Sequence, residues 1–279
     1  MKMKFRAHDT FYIRKGWLSK GMKYINEKPD VFVSKEENPM DVFGIGANMV
    51  KALRYWMQAV GLTEEPNNGR RTQTFTPFGR SVFENDRYIE EMGTLQLLHY
   101  KLVTNQENAT AWYFFFNKFD LSELINGVSV APRSLEDDFN CIINTYLPRY
   151  KSNPEKVSPE NNLDCPLSEL ALVDTISKKK LYKKAIPLTN SFNPWIILAV
   201  IMEQAKERTS IPLNELLTGE NSIGKVFNLE AISMIEILHN VEKTDEIKII
   251  RTAGLDIIKI NNTRSFQECV DRYYESINI

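Results

Sequence analysis

Three residues near the start of the chain, His8, Asp9 and Arg14, combine the side-chain types that phosphodiester chemistry uses. A histidine near neutrality can transfer a proton, a carboxylate can orient it or hold a cation, and a guanidinium can clamp a phosphate. Cleavage of a phosphodiester needs an activated nucleophile and charge stabilisation at the phosphoryl oxygens, by carboxylate-held metal or by Arg and Lys. No recognisable nuclease signature accompanies the trio. A second reading of His8 and Asp9 is therefore a buried polar anchor between the N-terminus and the core. Asp137 and Asp138 form another acidic pair, read either as metal ligands or as solvated acids suited to the dipole of a helix start. If a metal takes part, magnesium or manganese is the expected type.

The residues for nucleic-acid binding are Asn48, Lys51, Arg54, Tyr55, Arg70 and Arg71. Gly44-Ile45-Gly46-Ala47-Asn48 reads as a turn, after which Met49, Val50, Leu53, Trp56, Met57 and Val60 recur at the three- and four-residue steps of one helical face. Gly61 ends that helix. A polar stretch with Arg70 and Arg71 and a β-prone Thr72–Thr76 follow, so Gly44 to Phe83 resembles the second half of a winged helix-turn-helix. Asn48 and Lys51 lie in the first turns of the recognition helix, where base edges and flanking phosphates are reached, while Arg70 and Arg71 suit wing contacts to the backbone. A salt bridge to a nearby acid is the competing reading for Arg54. Gly44-x-Gly46 lacks the third glycine and preceding strand of a dinucleotide site.

Charge is unevenly placed. Residues 1–82 hold 14 Lys and Arg against 8 Asp and Glu, and the remainder holds 21 against 28, so an overall charge of −1 conceals a basic front. With 279 residues, 43% hydrophobic and 25% charged, the chain is ordinary globular protein long enough for two or three small domains. Cys141, Cys165 and Cys269 lack the paired spacing of a zinc site and suit reduced, mostly buried thiols. The first residues lack a signal-peptide pattern and Trp195 to Met202 is too short to span a bilayer, so a cytoplasmic protein without membrane partners is expected.

The fold class expected is mainly α with small β-hairpins (α+β), built from tandem winged helix-turn-helix-like units. A first helix is predicted from Trp17 to about Asn26, a second over Met40 to Ile45, and others over Tyr88 to Tyr100 and Asn108 to Phe119. The aromatics Trp112 to Phe119 could stack bases, but apolar residues all round that helix favour a buried element. A second helix-turn-helix is read as a short helix Leu121–Ile125, a turn Gly127–Pro132 and a helix N-capped by Ser134 with Leu135, Phe139, Ile142, Ile143 and Tyr146 on its apolar face. Its acidic start suits packing or protein contact better than DNA. Ser152–Asn162 reads as the linker. A hairpin carrying Lys178-Lys179-Lys180, helices at about 194–208, 212–217 and 229–240, strands at 247–251 and 256–260, and a helix from Phe266 to Ile277 complete the chain. The domains expected are 1–85, 86–151 and 163–279.

Seven stretches in order carry a family resemblance over nearly the whole chain. They are His8-Asp9-Thr10-Phe11 with Arg14 and Gly16-Trp17-Leu18; Gly44 to Val50 through Arg54-Tyr55-Trp56; Thr76-Pro77-Phe78-Gly79; Leu97-Leu98-His99-Tyr100; Ala109 to Tyr113; Asp164 to Leu170; and Thr252-Ala253-Gly254-Leu255 with Arg272-Tyr273-Tyr274. The chain thereby resembles the family of domain of unknown function 4007, found beside DNA phosphorothioation genes. Where this chain has Asp9, that family more often carries Glu. The resemblance implies a component acting on double-stranded DNA in sulfur modification or its associated phage defence, and the family includes a strand-nicking subunit. It also implies partners: a cysteine desulfurase, an ATPase and a protein resembling phosphoadenosine phosphosulfate reductase. A non-catalytic winged-helix adaptor is the alternative. A transcription regulator fits less well, because neither a ligand pocket nor a dimerisation coiled coil is evident.

Overall fold

Helix α1, Trp17–Glu27, follows Gly16, whose φ of 80° is the left-handed turn that glycine supplies without steric cost. Its inward face is Trp17, Leu18, Gly21, Met22 and Ile25. Helix α2, Pro39–Phe43, starts where Asn38 accepts a hydrogen bond from the Met40 N–H, with Pro39 in the first turn. Gly44, at φ 64°, stops it after five residues. Helix α3, Ala47–Ala59, then buries Val50, Ala52, Leu53, Trp56, Met57 and Ala59. Strands β1, Thr63–Glu64, and β2, Thr74–Phe75, pair antiparallel with Thr63 opposite Phe75. The computed structural model describes residues 3–66, 69–119, 125–126, 133–148, 165–177, 181–252 and 254–278.

The base of this ribbon is tied to α3 by one buried side chain. Gln73 donates to the Arg54 carbonyl at 2.9 Å and accepts from the Thr63 hydroxyl at 3.1 Å, which links the ribbon to α3. Helix α4, Pro77–Asn85, begins at Thr76, which accepts from the Gly79 N–H while its hydroxyl donates to the Gly61 carbonyl. Gly79 is where backbone meets backbone: a methyl there would overlap the Leu62 carbonyl.

Helix α5, Met92–Thr104, is apolar on all sides and buried from Gly93 to Tyr100. Such a helix must lie at the centre of its fold. Helix α6, Thr110–Lys118, packs beside it with Trp112, Tyr113, Phe115 and Phe116 buried, so these aromatics are core. Strand β3, Ile125–Asn126, pairs with β5, and helix α7 runs Arg133–Tyr146. A 3₁₀ turn, Pro166–Leu170, joins α7 to α5. Strands β4, Val173–Ser177, and β5, Leu181–Lys184, form the expected hairpin, extended by β3 into the order β3-β5-β4.

The last third follows its predicted order closely. Helix α8, Pro194–Ala205, is almost wholly buried; β6, Ser210–Pro212, α9, Leu213–Thr218, α10, Ile223–Val226, and α11, Ala231–Glu242, lead to strands β7, Ile247–Thr252, and β8, Leu255–Ile260. The sheet order is β6-β8-β7, antiparallel throughout. Helix α12, Phe266–Ile277, opens with a capping box between Ser265 and Glu268. It packs on α8 and α4, and its Tyr274 hydroxyl meets Thr94 of α5 at 2.8 Å. The protein is thus mainly helical with small antiparallel sheets. Among the described residues no helix is long and apolar enough to cross a membrane.

Several expectations need correction. Ile125 is strand, not helix, because its backbone groups find partners on β5; the rest of the expected helix at 121–124, the turn at 127–132, the linker at 152–162 and Lys178 to Lys180 lie outside the described residues. Helix α7 starts at Arg133, so Ser134 is inside it rather than its cap. Leu135, expected on the apolar face, is 40% exposed. Asp138, expected to be solvated, is buried by partners that the N-terminal segment brings to it.

Candidate nucleic-acid interface

Helix α3 sorts its side chains by facing. Leu53 and Trp56 point inward with no exposure, while Asn48 and Lys51, three residues apart, stand on the exposed side of its first turns. Trp56 is held on every side: its indole N–H donates to the Phe11 carbonyl at 2.9 Å, and its ring meets Trp112 edge-on at 5.3 Å. The N-terminus of α3 has no acidic residue in its first turn and no side-chain cap. Its positive dipole end is consequently not offset by a neighbouring carboxylate within that turn.

Arg54 and Tyr55 are engaged internally. The Arg54 guanidinium pairs with Glu65 at 2.5 Å, each side chain about a quarter exposed, which is the salt bridge weighed from the sequence. The Tyr55 hydroxyl donates to the Asn108 carbonyl at 2.9 Å, and burial pushes its pKa well above the usual phenol range. Arg70 and Arg71 are exposed beside the ribbon, and Arg71 sits in the left-handed region at φ 55°. Arg80 lies over the Phe75 ring at 4.4 Å and donates to Asn26 at 3.0 Å, which fixes a further cation next to β2. The sequence reading did not single out Arg80. Its spacing from Phe75 and Phe83 is the only local signal it carries.

Each member of the N-terminal trio has partners of its own. His8 has no exposed surface, and its Nε2 lies 2.7 Å from Asp138 Oδ1, so its carboxylate partner is not Asp9. Both Asp138 oxygens also accept the Arg6 backbone N–H, at 2.9 and 3.1 Å, and the Arg6 side chain pairs with Asp137 at 2.9 Å. The His8 ring stacks on Trp56 at 5.7 Å and meets Trp112 edge-on at 5.4 Å. Asp9 is half-buried in a turn, its N–H donating to the Arg6 carbonyl at 3.1 Å. Arg14 rests over Phe11 and Trp17, at 5.8 and 5.5 Å from their ring centres. Asp138 and Arg6 are the partners that sequence reading missed; they are far from each other in the chain and no local pattern joins them.

His99 is held as firmly. Its Nε2 lies 2.7 Å from the Val226 carbonyl and its Nδ1 lies 2.8 Å from the Tyr146 hydroxyl. A carbonyl only accepts, so Nε2 carries the proton and Nδ1 accepts from Tyr146. Burial lowers the His99 pKa to about 3, keeping it neutral. Cys141, Cys165 and Cys269 are all buried and unbridged; burial raises the thiol pKa of Cys141 far above its usual value and that of Cys269 to about 12. Among the described residues no three His, Cys, Asp or Glu side chains converge on one point. Asp138, the buried acid of this region, already accepts from the Arg6 N–H with both oxygens and has His8 on Oδ1.

Fold and surface together define an α+β protein that turns a short helix with a polar, cationic outer face to solvent beside an arginine-bearing ribbon. The chain belongs to the DUF4007 family, proteins of unknown function, whose model matches residues 5–274. Two solved structures are similar over 99% of this chain and 89% of their own, both with a TM-score of 0.81 and 22% identity: SspB and magnesium ion-bound SspB. No curated protein matches the chain.

Proposed function

We propose that the chain is a DNA-binding component of a DNA phosphorothioate (sulfur) modification and phage-defence system, acting as an adaptor that positions partner enzymes on double-stranded DNA. In this reading residues 1–85 form a winged helix-turn-helix. Helix α3 enters the major groove through Asn48 and Lys51, and the β1–β2 ribbon lays Arg70 and Arg71 on phosphates. The observation that carries it is the division of α3 into a buried Leu53 and Trp56 face and an exposed Asn48 and Lys51 face, on the basic part of the chain. Arg54 and Tyr55 then support the helix from behind, through Glu65 and Asn108. Residues 86–151 and 163–279 serve as the units that hold partners, and the order α8-β6-α9-α10-α11-β7-β8, helices followed by a hairpin, is read as a second winged-helix-like unit. The partners implied by the family resemblance are a cysteine desulfurase, an ATPase and a phosphoadenosine phosphosulfate reductase-like protein.

The adaptor reading is preferred over an enzyme because His8 is enclosed by Asp138, Trp56 and Trp112 and presents no surface to a substrate. His8 and Asp138 anchor the N-terminal segment to α7. A strand-nicking endonuclease is the second reading, favoured by the likeness to a magnesium ion-bound SspB structure. The deciding experiment incubates supercoiled plasmid with the purified chain over magnesium and manganese concentrations, alongside a duplex-binding assay. Binding without relaxation supports the adaptor. Metal-dependent open-circular product, lost in a folded Arg14→Ala variant, would install the nickase in its place.

A further inference from the structure

Between α5, the 3₁₀ turn at Pro166–Leu170, the start of β4 and residues 185–192 lies a cavity of about 390 Å³. This volume is within the range of sites that enclose a discrete ligand group, roughly 300–1,000 Å³. Its walls are apolar, with Leu172, Phe192 and Phe227 all buried. Among the described residues the charged groups that line it are acidic: Glu169, which is exposed, and the half-buried Asp174, whose Oδ1 accepts from the Thr175 N–H at 2.7 Å, with no lysine or arginine.

Gln96 lines the same cavity and is 1% exposed. Its Nε2 donates to the Ser191 carbonyl at 3.2 Å, which fixes the amide, because the flipped form would set oxygen against oxygen. The Oε1 that remains is buried and has no donor. Buried acceptors are nearly always paired, so a lone one on a cavity wall marks where a donor belongs. At the lip, Ile186 is 43% and Leu188 75% exposed. A free small molecule would leave that lip in water, whereas a protein chain would cover it.

We propose that this cavity receives a lysine or arginine side chain of a partner protein. The stem lies against Leu172, Phe192 and Phe227, an N–H is donated to Gln96 Oε1, Glu169 and Asp174 favour the positive charge, and apolar residues flanking the basic one cover Ile186 and Leu188. The inference does not rest on the DNA reading, since no residue named for DNA contact lines the cavity.

The test titrates acetyl-Leu-Lys-Leu-amide, its arginine counterpart and its norleucine counterpart into the full chain, followed through the methyl resonances of Leu172, Ile186 and Leu188. Norleucine keeps the stem and removes the charge. A saturable shift with at least one basic peptide is expected, with affinity at least tenfold above norleucine and a loss of roughly tenfold in Gln96→Leu. If Gln96→Leu does not fold, the surface pair Glu169→Gln with Asp174→Asn takes its place, with at least a fivefold loss expected. No saturable shift with either basic peptide, equal affinity for norleucine, or unchanged affinity in the folded variants would overturn the proposal.

Discussion

Replacing His8 by Ala distinguishes an anchoring histidine from a catalytic one. The substitution removes a ring with no exposed surface, stacked on Trp56 and edge-on to Trp112, and leaves Asp138 Oδ1 without its side-chain partner in a site that is 1% exposed. Asp138 keeps the Arg6 N–H, so the carboxylate is not wholly abandoned. Removing one partner from a buried pair costs about 3–5 kcal/mol, and the retained Arg6 contact favours the lower end. For a chain of this size that corresponds to a fall in melting temperature of roughly 6–12 °C. Thermal unfolding followed by circular dichroism, with His8→Gln as the variant that restores a donor, is the assay. His8→Gln should recover part of the loss. A His8→Ala protein that melts within about 1 °C of wild type would refute the anchor and return His8 to consideration as a catalytic group.

Other consequences follow from the same packing. Trp56→Ala should cost about 3–5 kcal/mol by opening a cavity beneath Phe11 and Trp112, whereas Lys51→Ala should change stability by less than about 0.5 kcal/mol in denaturant titrations. The reverse result would invert the assigned faces of α3. Gly79→Ala should destabilise by more than about 2 kcal/mol despite alanine's better helix propensity, because the methyl meets the Leu62 backbone rather than a side chain that could swing away; an equal or higher midpoint would show that α4 can shift. His99 sets a pH dependence. Its folded pKa of about 3 lies below its unfolded value near 6.5, so below pH 6.5 the unfolded chain binds the extra proton and stability is lost as pH falls towards 3. Unfolding free energy measured from pH 6.5 to 5 should drop by up to about 1.4 kcal/mol per unit, and a flat profile would contradict the buried neutral tautomer.

Local patterns carried the helices and left the long-range pairs hidden. The steps Leu53, Trp56, Met57 and Val60 disclose α3, and Phe266 to Ile277 discloses α12, because each helix writes its buried face into nearby residues. Helix α4 has no counterpart among the expected helices although Thr76-Pro77 is a helix start, and the role of Gly79, which lets the Leu62 carbonyl approach, depends on a residue outside the helix. Strand β3 escaped because its two residues gain meaning only from β5. Asp138 was misread for the same reason. Its neighbours Glu136 and Asp137 suggest a solvated helix start, and the partner that buries it, His8, stands 130 residues away. Asn48 and Lys51 were legible as exposed because the helical period that buries Trp56 also fixes what faces out, whereas the internal engagement of Tyr55 depends on Asn108 in a different segment.

In the proposed function the outer face of α3 and the neighbouring ribbon bind DNA through phosphates. The most direct measurement is fluorescence anisotropy of a duplex of about 20 base pairs with the full chain over a series of salt concentrations, for wild type and for Arg70→Ala with Arg71→Ala. Wild type should bind with log affinity falling linearly against log salt, and the double variant should bind different sequences similarly more weakly, with a slope shallower by roughly two counterions. Failure of the wild-type chain to bind duplex DNA even at low salt would contradict the proposed function, and a double variant with an unchanged slope would remove the ribbon from the interface.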